Sequence, residues 1–325
     1  MKEGKLDFHE LREIIINSRK LKRDEVLIRN DVGEDCSVMD FGDYEAMFST
    51  DPITGATENI GRLAVNINCN DIASSGGEPI ALLVTILAPV TSSLKEINYV
   101  MKEISEEAAK INVEIIGGHT EVTSAVNKLI ISVTVIGKNK KGESVKTAGA
   151  LEGDDIIVTK NLALEGTAIL AADYEERAKK VLNNEELEEA KDSIKYISVL
   201  DEGRIGKEIG ANSMHDITEG GLLGALFEVA MASNTGFLVY EDKLPLLEST
   251  KKIAKEFSID PLRLISSGSM LITTDKGEEM IKALRSKGIK ATVIGKVTRH
   301  KGILVSNGIE LEVKEPKRDE LFNIK

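Results

Sequence analysis

Residues 59–87 constrain the fold of this chain more than any other stretch. Asn59 to Ser75 is rich in small and apolar residues and reads as a helix, Gly76-Gly77 ends it, and Ile80 to Leu87 follows as an unbroken apolar run. This predicts a helix packed on a sheet, the run being a strand buried on both faces. The helix carries Asn70-Asp71 among Ile67, Cys69, Ile72 and Ala73. A carboxylate without a role would be costly there if buried.

The rest of the chain mixes helices and strands without a steady βαβ rhythm, which predicts an α+β fold. Leu6 to Lys20 has helical spacing, and Glu45 to Thr50 reads as a strand that Pro52 stops, leaving Asp51 at its tip. Ser93 with Glu96 forms a capping box for a helix running to about Lys110. Val113–Ile116 and Leu129–Ile136 are β-branched strands. A polar, glycine-bearing stretch from Asn139 to Gly153 marks a boundary, giving domains 1–145 and 146–325. Beyond it, strands are predicted at Asp155–Thr159, Gly236–Tyr240, Met270–Thr273 and Thr292–Val297. Helices are predicted from Glu165, over Gly220–Ala232, and from about Thr250 and Gly277, with an exposed helical hairpin over Glu175–Glu189. Asn307-Gly308 predicts the turn of a hairpin over Gly302–Val313.

Composition narrows the function classes. The 325 residues carry 42 Lys and Arg against 54 Asp and Glu, a net charge of -12. Such a surface repels nucleic acid and anionic membranes, and the longest basic run is only Lys20-Leu21-Lys22-Arg23. Cys36 and Cys69 match no zinc spacing and make no disulfide scaffold. Met1 to Glu10 is polar, without a signal-peptide core, so a cytoplasmic protein with no membrane partner is expected.

The chemistry is read from acidic residues beside glycines or strand ends: Asp31 and Asp35 around Gly33, Asp51, Asp71, Glu121 after Gly117-Gly118, and Asp216 before Gly220-Gly221. Magnesium takes a few carboxylate oxygens together with phosphate oxygens and water, so carboxylates from separate loops can share one site. A metal would also bridge an acidic protein to an anionic nucleotide. Taken singly, each of these acidic residues reads more readily as a turn or cap residue, Asp35 in an Asx-turn and Asp216 at a helix entry. The Gly117-Gly118 and Gly220-Gly221 pairs could present backbone N–H groups to phosphate, and equally make tight turns. Neither belongs to a Walker A loop or a Rossmann fingerprint.

The order Asp31-x-Gly-x-Asp35, Ser49-Thr50-Asp51, Asn70-Asp71…Gly77-Glu78-Pro79, Gly117-Gly118-x-Thr120 and His215-Asp216-x-Thr218-x-Gly220-Gly221-Leu222 resembles the AIR synthase-like (PurM-like) superfamily. The resemblance runs from about Asp31 to Val305 and is nearest the hydrogenase expression/formation (HypE-type) branch. It implies two α/β domains. The N-terminal one would pair across a homodimer into a shared β-barrel, and the C-terminal one would be a sheet covered by helices. It further implies ATP in a cleft, with magnesium on Asp35, Asp51, Asp71 and Asp216, and Glu121 as a further ligand. Asn70, Gly117, Gly118, Thr120, Lys160, Gly220 and Gly221 would contact ATP phosphates. Asp71 and His119 are the catalytic candidates; His119 stands where related proteins usually carry an acidic residue, and could bond phosphate or act as a base. The common reaction is ATP-dependent activation of an oxygen on a small substrate.

HypE-type proteins end in a Pro-Arg-x-Cys tail. This chain ends Phe322-Asn323-Ile324-Lys325, so a thiocarbamate carrier is not expected at that position. A thiamine-monophosphate kinase-like phosphotransferase is the alternative reading, since it needs no cysteine. A non-catalytic nucleotide-binding dimer that serves a maturation partner is a third.

Overall fold

The computed structural model describes residues 4–6, 8–29, 31–54, 59–315 and 318–324. The first part begins with α1 (Phe8–Ser18), β1 (Val26–Ile28), β2 (Ser37–Phe41) and β3 (Tyr44–Ile53). It continues with α2 (Ile60–Ser74), β4 (Glu78–Pro89), α3 (Leu94–Lys110), β5 (Glu114–Thr123) and β6 (Ile130–Lys140). The strands form one sheet in the order β1-β2-β3-β6-β4-β5, antiparallel except for the β4–β5 pair.

The second part comprises β7 (Asp155–Thr159), α4 (Leu164–Asp173), α5 (Glu175–Ala178), α6 (Asn184–Asp192), α7 (Leu200–Ile209), β8 (Ser213–Ile217) and α8 (Gly221–Ser233). Then come β9 (Gly236–Tyr240), α9 (Glu248–Phe257), β10 (Ser269–Thr274), α10 (Gly277–Ser286), β11 (Ala291–Thr298), β12 (Gly302–Ser306) and β13 (Ile309–Glu312). Its sheet runs β13-β12-β9-β11-β7-β10-β8. Both faces are covered. Ile156 and Val158 of β7 join the core under α8, while Ile157 joins the core under α7 and α10, as strand alternation requires.

The helix that carries Asp71 holds the two parts together. All of α2 except Arg62 is buried, because one side lies on the first sheet and the other on α7 and β8. Contact with α7 is close enough that a Cβ at Gly203 would lie 2.1 Å from the Ala73 carbonyl oxygen. A helix buried all round is normally apolar. Here its polar side chains have partners: Asn66 donates to Glu107 Oε1 at 2.9 Å, and Asn68 donates to the Ala64 carbonyl at 2.9 Å.

Three local expectations change. β4 is buried on one face only, leaving Ile80 and Leu83 exposed, because both helices pack on the same side of its sheet. β3 continues through Pro52 to Ile53: β2 pairs no further than Phe48, so from there β3 has one neighbour, β6. A residue without an N–H is tolerated where that edge is free. Gly117 to Glu121 is no loop but the body of β5, paired with β4 past a bulge between Leu82 and Leu83.

Candidate active site

The site lies where β3, α2 and β8 meet. Ser49 and Asp51 are two apart on β3 and face the same way. Ser49 Oγ makes a short hydrogen bond to Asp71 Oδ2 on α2. One turn earlier, Asn68 Oδ1 accepts the Asp51 N–H at 2.8 Å, fixing the strand end that presents that carboxylate. Asp35 comes from the segment before β2, tied down where Cys36 Sγ donates to Ser75 Oγ at 3.0 Å.

From the second part, β8 brings His215 and Asp216. His215 Nδ1 lies 2.8 and 2.9 Å from the two oxygens of Asp35, and its Nε2 lies 2.8 Å from Glu228 Oε2 on α8. Burial works against charge on the imidazole, but the flanking carboxylates of Asp35 and Glu228 outweigh it and raise His215 well above its ordinary value. The imidazolium thus clamps a carboxylate from each part of the fold. Burial opposes the ionised form of Glu228 too, yet Lys5 and His215 hold it below the usual carboxylate range.

The remaining carboxylates are poorly compensated. Burial first, then Asp216, Asp51 and Asp35, push Asp71 well up. Burial and Asp35 push Asp216 up to about 8, and its Oδ2 is buried without a hydrogen-bond partner. Burial also raises Asp51, against the pull of Lys5. Asp51 and Asp71 border a cavity of about 430 Å³ that Asp35, Ser49, His215 and Glu228 also line; Asp216, next to His215 on β8, does not line it. Lys5 lines the cavity too: its N–H donates to Glu219 Oε1 at 2.8 Å, and its ammonium sits in the field of Glu228, Asp51, Glu219 and Asp35.

Among the described residues, no group of three His, Cys, Asp or Glu side chains forms a ready-made metal cage. The donor chemistry nevertheless suits a divalent cation. Asp35 and Asp51 raise the proton affinity of both Asp71 and Asp216, Asp216 adds to the rise at Asp71, and a cation would replace those protons. One orphaned carboxylate oxygen, on Asp216, awaits such a partner.

Of the sequence's metal candidates, Asp35, Asp51 and Asp71 line one cavity, and Asp216 lies beside them on β8. The other candidates lie elsewhere in the single chain. Gly117, Gly118, His119, Thr120 and Glu121 are on the exposed edge strand β5, where His119 Nε2 is 3.5 Å from Glu121 Oε2. None of them lines the carboxylate cavity. Asn70 is fully buried, and both ends of its amide are occupied: Nδ2 donates to the Ile197 carbonyl at 2.7 Å and Oδ1 accepts from the Val199 N–H at 2.9 Å. The Lys160 ammonium bonds the Ser198 carbonyl at 2.5 Å and the buried Glu202 at 2.8 Å. The Gly220 N–H donates to Asp319 Oδ2 at 2.6 Å, and Gly221 bonds the Thr218 carbonyl at 3.1 Å.

Lys5, Asn68 and Glu228 are site residues that the sequence did not single out. Glu228 carries the same signal as Asp71, a carboxylate in an otherwise apolar helix. Lys5 and Asn68 carry no comparable signal.

Comparison with known proteins agrees with this architecture. Residues 33–139 match the N-terminal domain of AIR synthase related proteins, and residues 152–306 match their C-terminal domain. The chain belongs to the AIR synthase related family. It is 32% identical over 286 residues to a putative hydrogenase expression/formation protein of Methanocaldococcus jannaschii, covering 84% of this chain and 82% of that one. It is 27% identical to a thiamine-monophosphate kinase of Pyrococcus horikoshii, over 86% of this chain and 87% of that one. The fold matches HypE in a HypE–HypF complex, with a TM-score of 0.75 and 21% identity over 94% of this chain and 99% of that one. It also matches HypE in complex with ATP, with a TM-score of 0.73 and 20% identity over 99% and 98%. Among the described residues, no helix is long and apolar enough to cross a membrane.

Proposed function

We propose that the protein is an ATP- and magnesium-dependent enzyme that transfers the γ-phosphoryl group of ATP to an oxygen of a small substrate. In that step the acceptor oxygen forms a bond to Pγ as the bond from Pγ to the bridging oxygen breaks, and ADP leaves with the electron pair. One observation carries the reading: Asp35, Asp51 and Asp71 line one cavity, and the charges of Asp35 and Asp51 raise both Asp71 and its neighbour Asp216. Magnesium held by these groups would neutralise phosphate charge, and catalysis of this kind rests on positioning and charge neutralisation. Lys5 is placed to meet a phosphate oxygen once a cation takes over its carboxylate partners. The related HypE structure with ATP and the hydrogenase expression/formation relative support a role in hydrogenase maturation. The HypE–HypF complex supports a maturation-protein partner.

The kinase-like relative keeps a thiamine-monophosphate kinase-like reaction as the second reading. A non-catalytic nucleotide-binding dimer is the third, and the clustered carboxylates weigh against it, since a scaffold has no use for their mutual repulsion. A homodimer is supported by the open face of the first sheet, where Ile80, Leu83 and Ile116 are exposed. Such pairing would also give the β5 residues a second chain to act on.

The deciding measurement is ATP turnover by purified protein with and without magnesium. Wild type should require magnesium, and Asp71→Asn should lose a hundredfold or more, on the order of removing one key electrostatic group. Turnover indifferent to magnesium, or undiminished in Asp71→Asn, would overturn the proposal.

A further inference from the structure

Lys160 follows β7 in a backbone conformation that side chains rarely adopt, with φ at +53°. Its N–H donates to the Lys290 carbonyl at 2.7 Å, which fixes the turn it makes. The side chain is 18% exposed. Its ammonium donates to the Ser198 carbonyl at 2.5 Å and lies 2.8 Å from Glu202 Oε1, whose side chain is 3% exposed. Burial pulls Lys160 below the ordinary lysine value, with Glu202 working the other way. A left-handed backbone and a desolvated charge are both unfavourable, and glycine would make the turn without either. Such an outlier points to a task for the side chain.

The task is read from the segment that Lys160 holds. Residues 197–199 lead into α7, and Glu202 lies in the first turn of that helix. The same three residues are gripped from α2 as well. The Asn70 amide donates to the Ile197 carbonyl at 2.7 Å and accepts the Val199 N–H at 2.9 Å, so Asn70 and Lys160 hold consecutive residues. Three positions further along α2, the Ala73 carbonyl meets Gly203 of α7, where a Cβ would have no room. Asn70 and Ala73 lie on either side of Asp71 in sequence and share one face of α2. The entry of α7 therefore bears on α2 before and after the residue whose carboxylate lines the first cavity.

We propose that Lys160 is a positioning residue for the metal site: by holding residues 197–199 and the first turn of α7, it keeps Asn70 seated and Asp71 aimed at a divalent cation. The inference rests on the metal-binding reading of the carboxylate cavity and extends it to a side chain that touches neither metal nor substrate. Removing a group that orients a metal's ligands lowers affinity about ten- to a hundredfold. An ion pair that merely stabilised the fold would leave that affinity unchanged.

The test measures manganese binding to the full chain by electron paramagnetic resonance, with a non-hydrolysable ATP analogue present and well below the melting temperature. Circular dichroism reports whether each variant is folded. Lys160→Gly alone would leave Glu202 buried without its cation, so it is paired with Glu202→Gln. The pair relieves the left-handed backbone and strands no charge, so it should fold. Its manganese affinity should nevertheless fall about tenfold or more. Asn70→Ala, which opens the brace at its other end, should weaken manganese by a similar factor, and adding it to the pair should cost little more. Lys160→Arg, which keeps a cation beside Glu202, should bind manganese more tightly than the pair. Unchanged affinity in either folded variant, or losses from the two that simply add, would overturn the proposal. Wild type that binds no manganese would refute the metal-site reading and the brace together. Wild type and variants that bind it equally well would refute the brace alone.

Discussion

His215 grips Asp35 through both carboxylate oxygens, at 2.8 and 2.9 Å, across 180 positions of sequence and from one sheet to the other. Because Glu228 bonds the other ring nitrogen, removing the ring leaves two buried carboxylates without their shared cation. His215→Ala should cost about 3–5 kcal/mol, the range for breaking a buried ion pair by one partner. The pH dependence follows from the raised proton affinity of His215. Its contribution is fully present below the unfolded-state value and is lost as pH rises through the higher folded-state value. Denaturant titrations across pH should therefore show the deficit of His215→Ala largest in acid and shrinking under alkaline conditions. A deficit that grows with pH would contradict the clamp.

Asp216 makes the opposite prediction about the metal-free protein. Its folded-state value of about 8 lies far above that of an ordinary carboxyl. Its stabilising effect is thus complete only in acid and is lost as pH climbs toward that value. Asp216→Asn should be more stable than wild type by a few kcal/mol at about pH 8 without metal, and little different at about pH 4. Magnesium should raise the melting temperature of wild type, and much less that of the variant. Thermal denaturation at both pH values, with and without magnesium, checks both halves. An equal magnesium shift in the two proteins would remove Asp216 from the metal site.

The open face of the first sheet predicts an oligomer. Ile116 on β5 is 53% exposed and Leu83 on β4 is 38% exposed, a poor arrangement for a surface facing water alone. Ile116→Glu should convert a dimer to a monomer in light scattering while leaving the fold intact by circular dichroism. Wild type that scatters as a monomer at all concentrations would show that the face stays bare.

Much of this fold could be read from the sequence where the signal is local. The Ser93 and Glu96 capping box forms as expected, with Ser93 Oγ accepting from the Glu96 N–H at 3.2 Å. The Asn307-Gly308 turn joins β12 to β13. The carboxylates could be read because acidic side chains beside glycines and strand ends are uncommon without a purpose. β8 could not, since five residues containing Ser, His and Asp look like a loop until β10 pairs with them. Asn70 illustrates another limit. Its neighbour Asp71 faces the cavity, but one step round a helix buried on all sides turns Asn70 toward the backbone of residues 197–199. Which way each faces is decided by packing partners more than a hundred positions away.

That shared helix also governs how the molecule comes apart. Since α2 is core to both sheets, neither half can melt without uncovering apolar surface of the other. Calorimetry should record one heat-absorption peak for the whole chain, although molecules with two sheets often show two. Amide protons on α2 should be among the slowest to exchange with deuterium, because only global opening frees them.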